Sequence, residues 1–258
     1  MESALYEQMA ELQAEHWWFE AKRMVVRRLL DRFGATGSEG HRPVGDGDAR
    51  APVLDVGCGT GSMVPVLRLA GRVVGVDAYL PALRYVNGAA PVGGNLLSLP
   101  FADRTFGVVG CFDVLYHRAV ADVPVALAEM RRVCRPGGLV VITDSACPAL
   151  MSAHDVAFHG ARRFGLTDLS ARVAEAGFSV LHGSYYHTML FPAAAARRLA
   201  SRARRAGLSG RSDLERAPRW LNQSLIRLYQ VESTLAARYR LPFGLSLVVV
   251  ARRDPAPE

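Results

Sequence analysis

Lysine is nearly missing from this chain: of 31 basic residues, only Lys22 is lysine and the rest are arginine. The net charge of +7 therefore carries the mark of an arginine bias, such as a GC-rich genome produces, and says little about ligands. Cysteine is scarce too. Cys58, Cys111, Cys134 and Cys147 are scattered with no CxxC pair and no histidine grouping of zinc-ligand spacing, which excludes a disulfide framework and a structural zinc site. Reduced thiols and no metal are expected. No apolar run approaches the roughly 18 residues of a membrane span. The longest, Leu245 to Ala251, is short and β-branched, as a buried strand is. Nor does the N-terminus read as a signal peptide, because Glu2, Glu7 and Glu11 stand where lysines and an apolar stretch belong. A cytoplasmic protein is expected. With half its 258 residues hydrophobic and 21% charged, the chain fits one large globular domain rather than a disordered one.

The apolar pattern divides the chain into segments. Residues 1–34 read as one helix, Met1 to Phe33, whose apolar stripe of Trp17, Trp18, Met24, Val25 and Leu29 is interrupted by Lys22, Arg23, Arg27 and Arg28; Gly34 ends it. Residues 35–52 are Gly-rich and polar without apolar period, a flexible linker. Across 53–191, strands are expected at Val53–Gly57, Val73–Asp77, Phe106–Phe112, Gly138–Asp144 and Phe178–Tyr186. Helices are expected at Ser62–Ala70, Pro81–Asn87, Val123–Cys134 and Thr167–Ala176. An insertion, 192–240, carries two helical stretches and the Arg-rich run from Arg197 to Arg205, and could cap one side of a pocket. Residues 241–258 hold the last strand, from Leu245 to Arg252, and a tail. Repeated β-α-β units imply an α/β fold with a mostly parallel sheet, in which ligands bind beyond the carboxyl ends of the strands.

The segment VLDVGCGTG, Val53 to Gly61, runs a strand directly into Gly57, Gly59 and Gly61, which let the backbone turn tightly against a ligand. Asp55 lies inside that strand, where a buried carboxylate is costly without a partner. Asp77 ends the next strand, VVGVD, placed to accept hydrogen bonds from both hydroxyls of a ribose. These motifs, with LPFADRTFGVVGCFDVLYH and LAEMRRVCRPGGLVVIT after them, resemble the S-adenosylmethionine-binding fold of class I methyltransferases over Val53 to Thr143. The resemblance implies a Rossmann-like, mostly parallel seven-stranded sheet with helices on both faces, an N-terminal helical lid and a helical insertion before the last strand. It also implies S-adenosylmethionine as cofactor and S-adenosylhomocysteine as product. By position, the loop of Gly57, Cys58, Gly59 and Gly61 would pass under the methionine part. Asp77, beside Ala78, would hold the ribose, and Asp55 would help orient the loop and the amino end. Asn95 stands where the family usually has Asp against adenine and can accept through its carbonyl oxygen, while the Leu96 amide serves adenine independently of its side chain. Phe112 would line the transfer site. Gly107 departs from the Asp often found there.

For a hydroxyl acceptor, methyl transfer needs an aligned nucleophile and a base. His117, five residues after Phe112, and His154 and His159, after Asp144, are the candidates, each also readable as a packing residue. Asp155 could orient an imidazole, and Trp17, Tyr116 and Asp155 could contact the acceptor. SAHDVAFHGARRFGLTDL, SYYHTMLFP and HWWF resemble one branch of the family found with natural-product or surface-glycan genes. Trp17 and Trp18 read either as core or as a lid over the cofactor, with Arg23 near its carboxylate. The expectation is an enzyme that methylates a small-molecule acceptor at a hydroxyl oxygen. C- or N-methylation, a nucleic-acid methyltransferase and a fold that binds the cofactor without transfer are the alternatives. A nucleic-acid partner is not expected, since no lysine joins the Arg cluster and no base-methylating motif is present. Association into a homodimer stays open.

Overall fold

The computed structural model describes residues 3–36, 51–151, 155, 158–196 and 216–254. Seven strands form one sheet: β1 (Val53–Val56), β2 (Val73–Asp77), β3 (Ala90–Gly93), β4 (Phe106–Phe112), β5 (Cys134–Ser145), β6 (Phe178–Tyr186) and β7 (Ser246–Arg253). Their order is β3-β2-β1-β4-β5-β7-β6. The first five run parallel, and β7 is antiparallel to both β5 and β6. β4 and β7 are almost wholly buried, which is why they read as unbroken apolar runs.

Alternate residues of each central strand feed two cores. Leu54, Val56, Leu247 and Val249 face α5 (Val123–Val133) and α6 (Leu166–Glu175). Val53, Val248 and Val250 face α2 (Trp17–Arg32), the short α3 (Val64–Leu67) and α7 (Arg219–Arg238). α1 (Ser3–Leu12) and the single-turn α4 (Leu80–Leu83) are helical as well.

The N-terminal segment is two helices, not one. The Leu12 carbonyl accepts from Glu15 and His16, ending α1, and His16 then turns extended and caps α2 by accepting the Trp18 N–H on its ring. Asn222 of α7 holds the break from outside: its Oδ1 accepts the Trp17 N–H at 2.9 Å and its Nδ2 donates to the Glu15 carbonyl at 2.9 Å. α2 closes as expected, with Gly34 at φ 75° and the Ala35 N–H bonded back to the Leu30 carbonyl.

The described part of the insertion packs on the N-terminal helices. α7 lies along α2, where Arg28 donates to Ser233 Oγ at 2.9 Å and Arg32 donates to the Ala237 carbonyl. Ala236 and Ala237 complete the core beneath. The Arg cluster from 197 to 205 lies outside the described residues.

Strand order reverses between β1 and β4, so the crevice at their carboxyl ends is where such a sheet receives a ligand.

Candidate functional site

A cavity of about 450 Å³ opens at that crevice, within the range of small-molecule sites. At one end is the loop after β1. Its tight path is fixed by the Gly57 and Cys58 N–H groups, both donated to the Val76 carbonyl of β2. Gly57 sits at φ 68° with a Cβ position only 2.4 Å from Val114 Cγ2, so no larger residue fits. Gly59 is different: the nearest atom to its Cβ position is on Tyr6, 3.9 Å away, leaving its backbone bare towards the cavity. Asp77 ties this loop to β2, its Oδ2 accepting from Gly59 N–H and its Oδ1 from Tyr79 N–H, each at 2.8 Å. Burial raises the Asp77 pKa, and those backbone donors hold it down.

α1 covers the loop. Tyr6 stacks on Tyr79 with ring centroids 4.6 Å apart, and Gln13 exchanges hydrogen bonds with Thr60, Oγ1 to Oε1 at 2.7 Å. Tyr6, Met9 and Tyr79 all border the cavity. None was singled out in the sequence.

At the other end, Trp18, Phe19, Tyr116, His117 and Phe158 surround an ion pair between Lys22 of α2 and Asp113. Asp113 follows β4 at φ 57°, its N–H bonded to the Thr143 carbonyl. The lysine side chain is 6% exposed, although its position in the α2 pattern reads as a mere interruption of an apolar stripe. Beneath the pair lie two buried acids. Asp144 accepts from Ser145 and Tyr116 N–H groups, and its pKa is pushed well up by burial and by Asp113. Asp55 has a different environment: its Oδ2 has no hydrogen-bond partner among the described residues, and burial with the charge of Asp77 lifts its pKa to about 8 against the pull of Lys22.

Of the residues singled out in the sequence, Gly57, Cys58, Gly59, Asp77, Ala78, Asn95, Leu96, Phe112, Trp18, Tyr116 and His117 border this one cavity. Asn95 Oδ1 already accepts the Leu97 N–H at 2.9 Å, which leaves one lone pair for a ligand. Asp55 and Gly61 lie behind the loop rather than on the wall.

Several others are elsewhere. Trp17 turns to α7 and stacks on Tyr229, interplanar angle 6°, because neighbours on a helix point about 100° apart. Arg23 is spent on Glu20 Oε2 at 2.6 Å and on the Gln13 and Ser62 carbonyls, so the cation at the wall is Lys22 instead. Asp155 is buried against Arg163, Nη2 to Oδ1 at 2.7 Å, and Arg163 also donates to the Ala146 carbonyl, so the pair fastens a loop. His159 stands outside the cavity wall, its ring 5.7 Å from that of His117. His154 lies outside the described residues.

One residue the sequence reading passed over is His187, fully buried at φ 58° after β6. Trp18 stacks on it at 4.3 Å and 6°, Tyr229 meets it edge-on, and neither ring nitrogen has a partner among the described residues. Burial pushes its pKa down to about 3.

The residues present fit an adenosyl sulfonium ligand: a bare glycine backbone, a fixed carboxylate on the wall at the end of β2, and an orphaned buried acid oxygen behind. A family model described as "Methyltransferase domain" matches residues 54–142. A Mycolicibacterium smegmatis protein named a probable S-adenosylmethionine-dependent methyltransferase is 28% identical over 66% of this chain and 62% of its own. The malonyl-(acyl-carrier protein) O-methyltransferase of Pseudescherichia vulneris is 37% identical over 40% of this chain and 43% of its own. These matches thus span between two fifths and two thirds of the relatives' lengths. Among solved structures, a chain from the complex of a Haloferax volcanii methyltransferase activator with a methyltransferase superposes with TM-score 0.59 at 17% identity, covering 99% of this chain and 96% of that one.

Proposed function

We propose that the chain acts as a class I S-adenosylmethionine-dependent methyltransferase and that it methylates a small molecule at a hydroxyl oxygen. The observation that carries the proposal is that one cavity is lined both by the glycine loop with Asp77, Asn95 and Leu96 and by a set of aromatic rings. The glycine loop, Asp77, Asn95 and Leu96 would hold the adenosyl and methionine parts of the cofactor, which supplies an electrophilic methyl. Trp18, Phe19, Tyr116 and Phe158 then form an aromatic chamber suited to a flat or apolar acceptor body, such as a secondary metabolite or glycan precursor. Oxygen as the target is supported by the O-methyltransferase among the relatives. Of the three histidines proposed to serve the transfer, His117 is the one at the wall among the described residues.

No helix among the described residues is long and apolar enough to cross a membrane, which suits the proposed cytoplasmic location. Action on nucleic acid is not part of the proposal, and a homodimer is compatible with it.

Thermal unfolding of the stripped protein with S-adenosylmethionine or S-adenosylhomocysteine tests the premise. Ligand at 100 times its dissociation constant adds about 2.7 kcal/mol, a rise of about 5–10 °C for a chain of this size. Methyl transfer to candidate acceptors is then followed by mass. No shift with either ligand sinks the reading.

A further inference from the structure

The chemistry of the acceptor end depends on which nitrogen of His117 carries a proton. The backbone N–H of Ala119 donates to His117 Nδ1 at 3.1 Å. A backbone amide only donates, so Nδ1 must present its lone pair, and the neutral ring carries its hydrogen on Nε2. Taking up a proton would place hydrogen on Nδ1 as well and break the bond to Ala119. The surroundings oppose that step. Burial, His159 at 5.7 Å and Arg118 lower the His117 pKa to about 4, so the ring stays neutral at pH 7. The other groups facing this end are Tyr116, the Lys22 ammonium and Asp113, and the one carboxylate of the set is committed to Lys22.

We propose that His117 is a fixed hydrogen-bond donor through Nε2 rather than a base, and that the cavity selects an acceptor whose oxygen arrives already ionised, as an enolate, phenolate or carboxylate. The inference rests on the methyltransferase reading and narrows its acceptor to oxygen acids that are ionised near neutral pH. The step balances without a base. An electron pair of the acceptor oxygen forms the new O–CH₃ bond while the S–CH₃ bond breaks, and that bonding pair stays on sulfur. One negative and one positive charge are consumed, leaving a methyl ether or ester and a neutral thioether, and no proton moves. A donor on the attacking oxygen weakens it as a nucleophile, so His117 acts on which ionisation state binds and how it is oriented, not on the speed of the bound complex.

The test uses the full chain loaded with S-adenosylhomocysteine and para-nitrophenol, an oxygen acid that ionises near neutral pH and whose anion is yellow. Spectroscopic titration gives the pH at which the bound probe ionises. The wild type is expected to lower it by about one pH unit, a tenfold preference for the anion. His117→Gln, which keeps a donor N–H near the Nε2 position but cannot take a proton, is expected to retain that preference within about threefold. His117→Phe is expected to lose it. Failure of the wild type to bind the probe, or binding with no preference for the anion, overturns the proposal, as does a Gln variant that behaves like the Phe variant. The thermal shift with S-adenosylhomocysteine, read on the same samples, separates the two levels. A shift without anion preference refutes only the donor role, whereas no shift refutes the methyltransferase reading and the inference with it.

Discussion

Part of the acid sensitivity should come from His187. In the fold this ring is enclosed by Trp18, Tyr186, Tyr229 and Trp17, and its pKa is depressed to about 3, against about 6.5 for an exposed imidazole. The sign follows from proton linkage. Above pH 6.5 neither state binds the proton, and the ring contributes no penalty. Below it the unfolded chain takes up a proton that the folded chain refuses, so stability falls by about 1.4 kcal/mol for each pH unit. The loss attributable to this ring reaches about 2 kcal/mol at pH 5 and about 4 kcal/mol by pH 3. His187→Phe keeps a ring in the aromatic box and removes the titration. It also removes two buried nitrogens without partners, so at pH 7 the variant should be at least as stable as the wild type. Urea unfolding of both proteins at pH 7, 6 and 5 makes the comparison, with other titrating groups cancelling in the difference. The wild type should lose the additional 2 kcal/mol between the neutral and acid ends; parallel pH dependences would refute the assignment of His187 as a neutral buried ring.

Asp55 should act in the opposite direction. Its folded pKa of about 8 means that the fold favours the protonated acid, so its contribution is complete below about pH 4 and is lost as pH rises to 8; Asp55→Asn should flatten that limb in unfolding titrations without harming stability at pH 7. Asp77→Ala should weaken S-adenosylmethionine by about 1.5–3 kcal/mol, measured by calorimetry, since it removes the expected ribose contacts and the latch on Gly59. Replacing Lys22 by Met strands the Asp113 carboxylate and should cost about 3 kcal/mol in urea unfolding, a loss that adding Asp113→Asn should partly recover. If the double variant is no better than the single, the pair is not coupled as described.

What the sequence made readable was the sheet and the cofactor end. β2 and β4 begin and end where their apolar runs do, because strands largely buried on both faces leave little polar sequence to blur the boundary. The glycine loop and Asp77 were legible because backbone geometry and a strand-end carboxylate leave local signatures. The acceptor end was not. Its walls come from α2, the turn after β4 and Phe158, brought together only by the fold. The break between α1 and α2 depends on Asn222, about two hundred positions away, and nothing local marks it. Trp17 and Trp18 were indistinguishable as letters; the packing of α7 decided which of them meets the cavity. Lys22 left a signal that went unused, since a lone lysine among so many arginines, set inside an apolar stripe, is itself unusual.

That rarity makes Lys22 a built-in reporter. An amine-directed reagent has one side-chain target in this chain, and the target is buried beneath its contact with Asp113. Its rate of modification therefore measures how often the chamber between α2 and the β4 turn comes apart, and a molecule seated there should register as protection of a single amine.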